Sequence, residues 1–234
     1  MHLRNRCPLR RFGGLVTKKE RWSLSVRGWG LLLALFTGIV YLTTIHIHSF
    51  LAQTQRVETP YLVIEGWVHE FAIQAGAAEF RRGGYSKVFV TGGPVTGSGG
   101  YTWDADTSAS VGAGLLRQAG LAGAAVQMVP AHMIGRDRTY FSALALRDWF
   151  TQMNIHVDAL NVVTESAHAR RTRLLFQEAF GTEVRIGILS VPNPDYDAEH
   201  WWESSEGFRE VVGEAIAYVY ARLFFFPPRS TTTL

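Results

Sequence analysis

The stretch from Tyr61 to Gly93, YLVIEGWVHEFAIQAGAAEFRRGGYSKVFVTGG, decides the fold. Tyr61 to Glu65 is a short apolar run of strand type. Glu70 to Arg82 places Phe71, Ile73, Ala75, Ala78 and Phe80 among polar residues, and Gly83-Gly84 stops it, which predicts a helix. Lys87 to Thr91 is a second strand, ended by the turn Gly92-Gly93-Pro94. Strand, helix and strand joined by short turns form the unit from which parallel sheets are built.

Toward the C-terminus the alternation continues. A glycine-rich loop (Gly97, Gly99, Gly100) leads to a helix from about Asp106 to Gln118. Then come a strand at Ala125 to Val129, a helix from Thr139 to Gln152, a strand at Leu160 to Thr164 and a helix from Ala169 to Phe180. A fifth strand, Arg185 to Val191, precedes a last helix with Ser204 as N-cap, running to about Phe226. Five alternations are too few for an eight-stranded barrel. The expected fold is α/β, a Rossmann-like three-layer α/β/α sandwich with a mostly parallel sheet.

Toward the N-terminus, Gly28 to Gln55 holds 28 residues without Asp, Glu, Lys or Arg. About 20 apolar residues cross a bilayer, so one transmembrane helix is expected before the body. A cleaved signal peptide fits less well, because a cut after Ala52 would put Phe50 where a small residue is needed. Ahead of Gly28 stand eight basic residues and one acid, Glu20, a net +7 in a chain of net +3, so the rest is net −4. The positive-inside rule then places the tail in the cytoplasm and the body outside it. The expected domains are a basic cytoplasmic tail (1–27), a transmembrane signal anchor (28–51) and an exported domain (56–228) that opens on a short polar linker, Arg56 to Pro60. A mildly acidic body argues against nucleic acid as a partner. The one cysteine, Cys7, excludes a disulfide scaffold and a thiolate cluster within the chain.

Ligands of open parallel sheets bind beyond the carboxyl ends of the strands. That rule selects Glu65, Gly66 and Trp67 after the first strand, and Gly92 and Gly93 after the second. It selects Arg136 and Arg138 after the third and Ser166, His168, Arg170 and Arg171 after the fourth. Glycines that expose backbone N–H groups, helix starts at Thr139 and Ala169, and forked guanidinium donors together suit an anion such as phosphate. The ligand-binding candidates are therefore Gly92, Gly93, Arg138, Thr139, Arg170 and Arg171. The catalytic candidates are His168 and Glu65. His168 is readable as a general acid or base or as a residue that orients its loop, and Glu65 as a base or as an arginine's partner. Asp104 and Asp106 lack a third ligand, so no metal is expected. No G-x-S-x-G, H-E-x-x-H, P-loop or G-x-G-x-x-G is present, and the sequence assigns no cofactor.

Tyr61 to Gly66, Arg82 to Gly93, Arg138-Thr-Tyr140 and Val163 to Arg171 together resemble the ElyC/SanA/YdcF family of bacterial envelope proteins, over about residues 61–191. The T-G-G after the second strand and the H-x-x-R after the fourth are the most specific features. Gly92, Gly93, His168 and Arg171 match the family's motifs, and Thr139 matches a threonine of its S-x-N-T-like segment. The resemblance implies a Rossmann-like domain, often carried on one membrane anchor, and a part in peptidoglycan and envelope biogenesis. One cytoplasmic-type member is associated with S-adenosylmethionine. The chain departs from the family at Glu65, at Trp103 to Ser108, where a Ser-Glu-Ala helix start is usual, and near Ser142, where an asparagine is usual. These departures point to a divergent subgroup with its own ligand.

The expected function is envelope biogenesis at the bacterial inner membrane, with the domain on the periplasmic side. The domain would bind a phosphorylated precursor such as a lipid-carrier phosphate, with or without hydrolysing it; the sequence does not settle whether it is an enzyme. Two alternatives stand beside it. One is a non-enzymatic scaffold or regulator of envelope-synthesis proteins. The other is a methyltransferase-like S-adenosylmethionine binder, which requires a cytoplasmic body.

Overall fold

The structure is a computed structural model and describes residues 10–11, 16–17, 24–95, 107–132 and 137–227. Expectations for Cys7, Gly97, Gly99, Gly100, Asp104, Asp106, Arg136 and the end of the chain from Pro228 fall outside these residues. Arg10–Arg11 and Val16–Thr17 pair antiparallel, apart from the main sheet.

Helix α1, Val26–Leu51, has 26 residues. At 1.5 Å per residue it spans about 39 Å, enough for a hydrocarbon core of about 30 Å. By length and composition the helix could cross a membrane, and its most apolar window is wholly unburied.

The chain divides into a unit ending at Thr43 and a compact body from Thr44 onward. The body thus starts within α1 rather than at residue 56. Leu51 is 0% exposed, packed with Ala167, Tyr196, Trp201 and Val211. Nor is the segment after it a free linker. Gln55 and Ile188 exchange backbone hydrogen bonds of 2.7 and 2.8 Å. The Asn161 side chain bonds both backbone groups of Val57, and Arg56 pairs with Glu79 at 2.8 Å. A sheet edge leaves backbone groups unpaired, and this segment takes them up.

Five parallel strands form the sheet: β1 (Tyr61–Glu65), β2 (Lys87–Gly92), β3 (Val126–Pro130), β4 (Ala159–Glu165) and β5 (Arg185–Val191). Their spatial order is β3-β2-β1-β4-β5. The winding direction therefore reverses between β1 and β4, which opens a crevice beyond their carboxyl ends. Helices α2 (Glu70–Arg82) and α3 (Ser108–Gln118) cover one face; α4 (Arg138–Gln152) and α5 (Ala169–Phe180) cover the other. Helix α6 (Ser205–Leu223) follows β5, capped by Ser204, whose Oγ accepts the Gly207 N–H at 3.0 Å. Both faces are apolar because the strands are covered on both sides. Leu62, Ile64, Val88 and Val90 pack toward α2 and α3, while Val63, Phe89, Leu160 and Val162 pack toward α4 and α5.

Two glycines let α3 approach the strand ends. A Cβ on Gly66 would lie 2.2 Å from the Ser108 carbonyl oxygen, and one on Gly92 (φ +154°) would lie 2.7 Å from the Ser108 Cβ. The helix itself starts on a capping box between Thr107 and Ser110, two residues later than the expected Asp106.

Candidate functional site at the strand ends

Parity along the strands lines up three polar residues. Glu65 is the register partner of Thr91, and the pairing of Ile64 with Val163 puts Thr164 beside Glu65 on its other flank. Thr91 follows Phe89 and Thr164 follows Val162 by two positions, so all three side chains share the α4–α5 face. Glu65 is 0% exposed. Its Oε1 accepts the Trp67 indole N–H at 3.1 Å and its Oε2 accepts the Thr172 hydroxyl at 3.0 Å. It pairs with no arginine among the described residues; the imidazole Nε2 of His168 lies 3.9 Å from its Oε2.

His168 ends a single 3-10 turn, Ser166–His168, between β4 and α5. Its Nδ1 lies 2.9 Å from Glu214 Oε1, on α6. Arg171, one helical turn on, donates to the same carboxylate from Nε at 2.8 Å and from one terminal nitrogen at 2.9 Å. That nitrogen also lies 2.9 Å from His168 Nδ1. Burial pushes the Glu214 carboxyl up, but the His168 and Arg171 hydrogen bonds outweigh it and hold the pKa at about 2. The edge of the Trp67 ring meets the imidazole, with centroids 4.7 Å apart.

These groups border a cavity of about 300 Å³ whose wall includes Trp67, Arg138, Thr139, His168, Arg171 and Glu214. Arg138 is exposed and makes no hydrogen bond or ion pair among the described residues. It opens α4, whose N-cap Asp137 (φ 59°) gives no side-chain cap. The first amides of α4 therefore have no partner within the helix, and its dipole favours an anion there. The second terminal nitrogen of Arg171 likewise makes no hydrogen bond among the described residues.

Of the residues expected at the site, His168, Arg138, Thr139 and Arg171 meet at this cavity, with Glu65 beneath His168. Arg170 does not join them. It donates to the Phe50 carbonyl and its guanidinium sits 3.8 Å above the Phe50 ring. Successive residues on a helix point about 100° apart, so Arg170 and Arg171 leave α5 in different directions. Gly92 and Gly93 are engaged with neighbouring backbone: the Gly92 carbonyl accepts from Ala131 at 3.1 Å and the Gly93 carbonyl from Ser108 at 2.8 Å. No group of three metal-ligating side chains occurs among the described residues.

Glu214 is the functional residue that sequence reasoning missed. Its signal was an acid set within the apolar spacing of the last helix, between Val211 and Ala217. A second network flanks the site. Ser166 (φ 28°) meets the Tyr196 hydroxyl at 2.7 Å and His48 Nε2 at 3.1 Å, and Tyr196 donates to Glu210 at 2.8 Å. Burial raises the Tyr196 pKa. On the other side of β4, Glu165 binds His69 Nδ1 at 2.9 Å and raises the imidazole pKa.

No family model matches the chain, and no curated protein or solved structure matches it.

Proposed function

We propose that the protein is a membrane-anchored factor of cell-envelope biogenesis, similar in role to the ElyC/SanA/YdcF proteins. Its body lies outside the cytoplasm and binds a phosphorylated envelope intermediate at the strand ends. One observation carries the reading: an arginine with no partner among the described residues, Arg138, stands at an uncapped helix start and shares a cavity with Arg171 and His168. The amides of α4 and the Arg138 fork hold the anion. Glu214 fixes Arg171 by two hydrogen bonds and leaves its remaining terminal nitrogen for the same phosphate. With Nδ1 against Glu214, His168 is the group equipped to pass a proton to a leaving oxygen, which is the basis for hydrolysis.

Arg138 provides the test, because it is exposed, has no partner among the described residues, and its loss leaves no buried charge behind. Native mass spectrometry of the full chain in detergent, titrated with inorganic phosphate and with a polyprenyl phosphate, should show saturable binding. Arg138→Ala should weaken it about tenfold at an unchanged melting temperature, the value of one or two charge-assisted hydrogen bonds. Unchanged affinity would defeat the phosphate reading and favour the anchored scaffold. The basic tail supports an external body, so a reporter fused after Leu234 should report from outside the cytoplasm. A cytoplasmic signal would reopen the S-adenosylmethionine alternative.

A further inference from the structure

Among the described residues, three buried side-chain polar atoms have no hydrogen-bond partner: Thr91 Oγ1, Thr164 Oγ1 and His168 Nε2. They are not scattered. Thr91 and Thr164 flank Glu65 on neighbouring strands, and His168 Nε2 lies 3.9 Å from its carboxylate. Native folds pair nearly all buried polar groups, and an unpaired one lowers stability. Valine would fill either threonine position with the same shape and no unmet hydroxyl. Three such atoms around one carboxylate therefore mark a place where stability gives way to another use.

We propose that this cluster is the floor of the ligand site and receives a hydroxyl group of the phosphorylated ligand. The ligand class is then a sugar or polyol phosphate, free or lipid-linked, rather than bare phosphate or a simple alkyl phosphate. The inference rests on the phosphate reading above and specifies its substrate. A hydroxyl both donates and accepts, so it can donate to Glu65 while accepting from two of the three unpartnered groups, and a vicinal second hydroxyl of a sugar can meet the third. A second anionic group would meet the Glu65 carboxylate. An alkyl group would leave all three atoms unpaired.

His168 joins the two halves. One ring nitrogen lies with Arg171 and Glu214 at the cavity, and the other lies over the floor. Phosphate and hydroxyl are thus held about an imidazole's width apart, the scale of a sugar phosphate. Trp67 closes the floor: it lines the cavity, packs on the imidazole and donates to Glu65. Entry of the hydroxyl requires the indole to leave Glu65, which frees Oε1 for it.

The test compares inorganic phosphate, N-acetylglucosamine 1-phosphate and farnesyl phosphate as probes of the full chain in detergent. The comparison is made in the natural protein and in the Thr91→Val/Thr164→Val double variant, by calorimetric titration and thermal unfolding. The natural protein should prefer the sugar phosphate to the other two by about tenfold or more. The double variant should melt about 3 °C or more higher, keep its affinity for inorganic phosphate and lose the preference. Phosphate binding without preference for the sugar, a preference that survives both valines, or a lower melting temperature would overturn the floor and leave the phosphate reading standing. Binding of none of the three probes would defeat both.

Discussion

Arg171→Ala will cost the body about 3 kcal/mol of stability, measured by urea unfolding, before any effect on a ligand is counted. The reason is Glu214. Its side chain is 17% exposed and two of its hydrogen bonds come from Arg171, at 2.8 and 2.9 Å. Removing the guanidinium leaves a largely buried carboxylate with only the imidazole of His168. The Arg171→Ala/Glu214→Gln double variant, which keeps the shape without the charge, should recover most of the loss. A loss below about 1 kcal/mol in the single variant would show that solvent already screens the pair. The same pair sets an acid limit. The Glu214 pKa falls from 4.5 in the unfolded chain to about 2 in the folded one. Its contribution, about 3 kcal/mol by linkage, is fully present above pH 4.5 and fades as pH falls toward 2. Substituting Arg171 should make acid unfolding begin at higher pH. For the same reason Arg171 is a poor probe of phosphate binding and Arg138 a good one.

A fragment starting at Arg56 will be less stable than one starting at Thr44 by about 4 kcal/mol, although the sheet and the α2–α6 helices are present in both. The twelve residues removed, Thr44 to Gln55, include Leu51, with no exposed surface, and Ile47, packed on the same cluster. Burying one leucine contributes about 2 kcal/mol. The cut also removes the Trp201 indole bond to the Thr44 carbonyl at 3.0 Å, the His48–Ser166 bond at 3.1 Å and the backbone pair with Ile188. Each contributes about 1 kcal/mol or less. The shorter fragment should also expose Trp201 and Tyr196, seen as dye binding to apolar surface. Equal urea midpoints for the two fragments would show that the end of α1 rests on the body without supporting it.

Much of the fold was legible because the chain marks its elements with local signals. Helix α2 has its expected bounds, Glu70–Arg82, since apolar spacing opens it and Gly83-Gly84 closes it. Ser204 was readable as an N-cap because a hydroxyl before an apolar helix has few other uses. Signals that depend on distant partners were not legible. Glu214 meets His168 across 46 residues, and nothing near either names the other. Arg170 and Arg171 are adjacent letters with the same chemistry, and only the pitch of α5 sends one to Phe50 and the other to Glu214. Gln55 reads as linker because its strand-like pairing with Ile188 comes from an available edge, not from its own sequence. Gly92 was read for a ligand's approach, and the structure shows a helix approaching instead.

On the proposed membrane anchoring, the stitching of residues 44–60 to the body also bears on how the domain would search for its target. A domain on a slack leash explores a volume set by the leash, and its effective concentration near a fixed target can be tuned by lengthening or shortening it. Here the segment that would form the leash is already folded in, at Leu51, Gln55 and Val57. Insertions or deletions between residues 44 and 60 would therefore change the folding of the domain, not its reach. On that proposal, encounters would depend on lateral diffusion of the protein and arrival of the ligand, and residues 44–60 would not serve as an adjustable tether.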